Sequence, residues 1–200
     1  MIPRLIQKQL LHLWANYPVV TITGPRQSGK TTLARATFPD LRYVSLESPD
    51  IRALAENDAR AFLQAYPAPV IFDEIQRVPQ LLSYIQTLVD ESGKTGQYLL
   101  TGSHQPQLSA GISQSLAGRT GLLRLLPLSI RELRQAGITL ERDEYLYKGF
   151  MPRAYRTALE PHTLYSDYFA TYVDKDVRQI ANLNNLSAFE TFMKLLAGRC

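Results

Sequence analysis

The segment Gly24-Pro25-Arg26-Gln27-Ser28-Gly29-Lys30-Thr31 constrains this chain more than any other, because it fits the pattern G-x-x-x-x-G-K-[ST]. The β-branched run before it, Val19-Val20-Thr21-Ile22-Thr23, reads as a buried parallel strand. The run after it, Lys30 to Thr37, reads as a helix that stops near Phe38-Pro39-Asp40. A strand, a glycine loop and a helix N-terminus in that order aim backbone N–H groups at one point, and the helix dipole adds to their attraction for phosphate. The segment therefore predicts a nucleoside triphosphate site. Its binding residues run from Gly24 to Thr32, and Lys30 is expected to hold the β- and γ-phosphates.

A second element lies in Pro69-Val70-Ile71-Phe72-Asp73-Glu74-Ile75-Gln76, an apolar strand ending in two carboxylates. Triphosphate hydrolysis needs a magnesium ion on the phosphates and a group that orients and deprotonates water. Asp73 is expected to hold magnesium through water, while Thr31 supplies a hydroxyl directly. Glu74, one residue on, points elsewhere and is expected to activate the water. A helix cap near Val78 is the plainer reading of these two acids, and the glycine loop upstream favours the catalytic one. Thr101 and Ser103 end a further strand, Gln97 to Ser103, where a hydroxyl can reach the γ-phosphate or the water. Ser103 is the first choice and Thr101 the second. Arg119, just before a fifth strand, is expected to reach the γ-phosphate of a neighbouring subunit, against the plainer reading of a salt bridge. Arg26 in the loop, Gln76 after the carboxylates and Arg153 further on are weaker candidates.

Strands and helices alternate through residue 126, which predicts a parallel sheet with right-handed crossovers and a ligand at the C-terminal strand ends. Residues 2–17 read as an amphipathic helix packed on that core, with Arg4 on its polar face. Helices are also expected over 51–66, 79–91, 105–116, 161–181 and 187–199. Ser129 to Arg134 carries a capping box, Ser-x-x-Glu. The fold class is α/β: a P-loop NTPase with a parallel five-stranded sheet flanked by helices, followed by a helical extension. Residues 1–127 form the expected core with its N-terminal helix, 128–160 a helical lid or linker, and 161–200 the start of a helical C-terminal domain. With 200 residues and 45% hydrophobic composition the chain can bury such a core. Its single cysteine, Cys200, excludes an intrachain disulfide, and no apolar run reaches a membrane span. A cytoplasmic protein with no membrane partner is expected. The net charge of +4 permits nucleic-acid contact without arguing for it.

Taken together, Gly-Pro-Arg-Gln-Ser-Gly-Lys-Thr-Thr-Leu, Phe-Asp-Glu-Ile-Gln, Leu-Thr-Gly-Ser and Leu-Ala-Gly-Arg-Thr resemble a prokaryotic family of AAA+-type P-loop ATPases. Tyr172 to Val177 and Phe192 to Arg199 resemble the start of that family's second domain, of unknown function. The family pattern has arginine where Lys175 stands and a Gly-Gly pair where Gly149-Phe150 stands. The resemblance implies ATP binding and hydrolysis and a chain that ends inside its second domain. With the Mg2+ read from Thr31 and Asp73, the expected ligands are ATP and Mg2+, and the role expected of Arg119 calls for a homo-oligomer. The leading expectation is an ATPase whose nucleotide state moves the C-terminal region. The alternative is a slow nucleotide-gated switch that recruits DNA or a protein through that region. A small-molecule kinase shares the glycine loop, but Glu74 is placed for water rather than for a phosphoryl acceptor.

Overall fold

Five segments pair as strands: β1 (Val19–Gly24), β2 (Arg42–Ser45), β3 (Val70–Asp73), β4 (Tyr98–Ser103) and β5 (Thr120–Arg124). The computed structural model describes residues 2–103, 111, 112, 114–172 and 186–197. Every pairing is parallel, and the order across the sheet is β2-β3-β4-β1-β5. The strand bearing Thr101 and Ser103 thus lies between the glycine-loop strand and the carboxylate strand, as expected. β3 and β4 are buried along their whole length because both faces are covered, so they show no polar alternation.

Strand parity divides the core into two. Val19, Val44, Val70, Phe72, Tyr98 and Leu100 face α3 (Pro49–Asn57), α4 (Ala59–Ala65) and α5 (Leu81–Ser92). Val20, Ile22, Ile71, Leu99 and Leu123 face α1 (Gln7–Asn16) and α2 (Lys30–Thr37). Asp73 shares the parity of Ile71, so its carboxylate belongs to the α2 side. Beyond the sheet come α6 (Ile130–Gln135), α7 (Arg142–Lys148), α8 (Pro161–Tyr172) and α9 (Leu186–Ala197). Among the described residues, no helix is long and apolar enough to cross a membrane.

Several boundaries differ from the sequence expectation. The single helix expected over 51–66 is two, because Asp58 leaves helical geometry and its carboxylate accepts from Ala61 N–H at 2.9 Å, capping α4. The helix α7 was not foreseen; Glu141 and Glu144 form its capping box. The helix expected over 105–116 lies mostly outside the described residues, as do 173–181, Lys175 and Cys200.

The N-terminal helix starts at Gln7 rather than at residue 2. Arg4 was expected on a polar helix face; instead it is half-buried in a polar knot. Its Nε meets Glu132 Oε1 at 3.0 Å, its Nη1 donates to Ser28 O at 2.8 Å, and its Nη2 donates to Leu126 O at 2.6 Å. Leu5 N–H also donates to Glu132 Oε1 at 2.9 Å, so the chain at 4–5 turns toward α6 and away from helical geometry. Glu132 completes the expected capping box with Ser129. Burial opposes the charge of Glu132, but N–H groups of Ser129 and Leu5 and the Arg4 guanidinium outweigh it and hold its carboxyl below the ordinary value.

Removing Arg4 would strand a buried carboxylate, so Arg4→Met is expected to cost about 3 kcal/mol in denaturant unfolding. The folded pKa of Glu132 is lowered, so its stabilisation is complete above the unfolded-state carboxylate pKa and fades as pH falls through the folded one. The stability gap between the native chain and Glu132→Gln should accordingly close in acid.

Candidate nucleotide site

The glycine loop leaves the C-terminal end of β1 in a form that its sequence requires. Gly24 has φ +155°, and a Cβ there would lie 2.1 Å from the Leu125 carbonyl oxygen. Gly29 has φ +94° and caps the start of α2 in left-handed geometry. Gln27 adopts φ +60° without being glycine, a local strain of the kind that loops at functional sites carry. Lys30 is the first residue of α2 and is buried. Its Nζ donates to the carbonyls of Gly24 and Pro25, both at 3.0 Å. The ammonium is therefore held over the loop, beside the N–H groups at the start of α2. Ser28 Oγ is buried and has no hydrogen-bond partner among the described residues.

Asp73 ends β3 with its carboxylate nearly enclosed. Oδ1 accepts from Thr31 Oγ1 at 2.9 Å and from the Thr101 hydroxyl, and Oδ2 accepts from Tyr43 OH at 2.8 Å. Burial, then the bond to Asp73 and its charge, push the Tyr43 phenol up to about 12, so it remains a donor at neutral pH. Thr101 Oγ1 also accepts from Glu74 N–H at 3.4 Å. That bond steadies the turn in which Glu74 takes φ 60° and ψ 46°, an unusual conformation for a non-glycine residue. The turn sends the Glu74 side chain away from Asp73, where Gln76 Nε2 donates to its Oε2. Burial raises the Glu74 pKa, with the Gln76 bond and the Lys30 charge partly opposing. Ser103 pairs in register with Gly24, and its buried Oγ has no partner among the described residues.

Of these residues, Gln27, Gly29, Lys30, Thr31 and Glu74 border a cleft of about 720 Å³. Arg26, Lys30, Thr31 and Glu74 line one wall, and Arg153, Arg156, Tyr168 and Tyr172 the other. A second, mostly apolar recess of about 260 Å³ adjoins it at Gly29 and Thr32, between Pro3 and Gln7 on one side and Leu128 and Pro152 on the other.

The expected residues from Gly24 to Thr32, with Asp73, Glu74, Thr101 and Ser103, thus converge on one edge of the sheet. Arg119 does not join them. It precedes Thr120, which pairs with Val19 at the opposite end of β1, and it forms a two-point ion pair with Asp90 at 2.5 and 2.8 Å. Within one chain, then, the plainer salt-bridge reading describes Arg119. Tyr43, Arg4 and Arg156 were missed from sequence. Strand parity offers a signal for Tyr43, which pairs with Ile71 and so shares the face of Asp73. Nothing local marks the other two.

Residues 16–134 match the AAA domain family, which is more than half of the chain. The chain belongs to this family. Residues 139–200 match a domain of unknown function. The uncharacterized proteins Rv2008c of Mycobacterium tuberculosis and Mb2031c of Mycobacterium bovis are each 32% identical over 168 residues, which is 82% of this chain and 37% of theirs. The chain therefore spans little more than a third of these curated relatives. Among solved structures, the Walker-type ATPase PABY2304 of Pyrococcus abyssi shares the fold at a TM-score of 0.53 and 17% identity, over 76% of this chain and 65% of that one. This is an AAA+-type, nucleotide-binding P-loop domain with a helical C-terminal region, as the resemblance implied. The cleft takes one wall from the AAA-matching residues and the other from the second match.

Gly24→Ala is expected to destabilise the fold measurably in thermal unfolding, because its Cβ would collide with the Leu125 carbonyl and the loop cannot move without disturbing β5.

Proposed function

We propose that this chain binds ATP with Mg2+ in the larger cleft and hydrolyses it, and that the nucleotide state is passed to the C-terminal helices. One observation supports this most: the glycine loop, two adjacent carboxylates and an unpartnered buried hydroxyl meet at one strand edge. Gly24 to Thr32 wrap the phosphates with their N–H groups. Lys30 shifts from loop carbonyls to the β- and γ-phosphates, which offer it stronger, charge-assisted bonds. The base lies in the apolar recess between Pro3 and Pro152.

Asp73 and Thr31 present hard oxygen donors 2.9 Å apart, a set that suits Mg2+. Thr31 would hold the ion with its hydroxyl and Asp73 would hold it through water. When bound, the ion offsets charge on the transferring phosphoryl group. Glu74 takes the proton from the attacking water, and Gln76 orients the carboxylate that does so. Burial raises Glu74 toward the working pH, which suits a general base. Ser103, whose hydroxyl has no partner among the described residues, senses the γ-phosphate. Thr101 is already committed to Asp73 and Glu74, so its role is to hold the carboxylate turn.

Arg153, Arg156 and the stacked pair Tyr168 and Tyr172 carry the signal, since they belong to the C-terminal region and border the same cleft. We divide the chain into a core over 1–127, a lid over 128–160 and the start of a second domain over 161–200. Arg119 acts on a neighbouring subunit's nucleotide in a homo-oligomer.

Lys30→Ala should abolish ATP binding, measured by calorimetry. Glu74→Gln should retain binding and lose about 10²–10⁴-fold in turnover. The native rate should rise with pH along a limb displaced upward from the ordinary glutamate value, because Glu74 must be deprotonated to act and burial raises its pKa. Normal hydrolysis by Glu74→Gln would remove it as the base. Sedimentation of Glu74→Gln with ATP should reveal a dimer or ring, and a monomer would remove the role given to Arg119.

A further inference from the structure

Asp73 has three hydroxyl donors, and only two of them come from segments that the nucleotide reading uses. The third, Tyr43, stands on β2, the edge strand beyond β3. Ser45 is the residue in register with Asp73, and Tyr43 lies two residues earlier on the same face. The length of the phenol closes that gap and delivers its hydroxyl to Oδ2. The ring itself is fixed. Arg35 lies one helical turn after Thr31 on α2, and its guanidinium sits over the Tyr43 ring at 4.8 Å from the centroid. One face of α2 therefore holds both oxygens of Asp73. Thr31 acts on Oδ1 directly, and Arg35 acts on Oδ2 through Tyr43.

An aspartate carboxylate has a broad preference about χ2, so its plane is set by its partners rather than by its own torsion. Thr31 and Thr101 share one oxygen, which leaves rotation about that anchored oxygen unopposed unless the other oxygen is also tied. We propose that Tyr43 is a positioning residue for Asp73: its hydroxyl locks the carboxylate plane so that Oδ1 stays turned to Thr31, at the border of the cleft where a divalent cation would join the triphosphate. This rests on the nucleotide-site reading above. In metal sites, partners of directly ligating residues typically contribute 10–100-fold to affinity, and Asp73, one water away from the ion, puts Tyr43 at the lower end of that range.

The test is a titration of Mg2+ against binding of a fluorescent ATP analogue, starting from EDTA, with the native chain and Tyr43→Phe. The substitution keeps the ring and removes one oxygen. It is expected to raise the Mg2+ half-saturation about tenfold while leaving the affinity measured in EDTA unchanged. In an Asp73→Asn background the same substitution should have no further effect on Mg2+. Unaltered half-saturation would overturn the proposal. So would an equal loss of affinity in EDTA, which is what a merely structural tyrosine gives, or an effect that survives in Asp73→Asn. If the native chain itself binds no analogue, or binds it without regard to Mg2+, the site reading fails and the proposal with it.

Discussion

Asp73 ends a strand covered on both faces, and a carboxylate in that position is tolerated only when its oxygens are hydrogen-bonded. The hydroxyls that satisfy it come from α2, from β4 and from β2. One buried charge therefore fixes the distance between the glycine loop, the carboxylate strand and the strand between them. The turn at Glu74 depends on the same arrangement, because Thr101 both donates to Asp73 and accepts from Glu74 N–H. The chemistry proposed for the cleft uses groups that the fold has already placed to solve a burial problem.

A second polar knot does the same on the other side of the loop. Arg4 joins the first residues of the chain to the Ser28 carbonyl, to the exit of β5 and to Glu132 on α6. The loop is thus held from behind by Arg4, which also lines the apolar recess. The wall of the apolar recess formed by Pro3 and Gln7 is set by the same contact, so the seat proposed for the base and the cradle for the phosphates share one support. Pro152 reaches both hollows, which ties them to the segment that leads into α8.

The central strands β1, β3 and β4 were legible because they are buried along nearly their whole length and read as largely apolar runs. The loop was legible because Gly24 and Gly29 occupy conformations that other residues resist. The pairing of Ser129 with Glu132 was legible as a capping box, since it is local. What escaped was non-local. Arg4 looked like an exposed helix residue, because its partner stands 128 positions away. Nothing local sets Tyr43 apart from other strand residues, and only the register of β2 on β3 shows that its hydroxyl reaches Asp73. Asp58 was read through as helix, although its side chain starts a new one. Arg119 was placed in the right turn, but its ion pair with Asp90 could not be read from spacing.

The most direct measurement is a crystal structure of the chain with a non-hydrolysable ATP analogue and Mn2+ in place of Mg2+, with the metal located by its anomalous signal. The account predicts the metal beside Thr31 Oγ1, with a water between it and Asp73. It predicts the triphosphate over Gly24 to Thr32 and the base between Pro3 and Pro152. A metal peak away from Thr31 and Asp73, or a triphosphate outside the glycine loop, would contradict it.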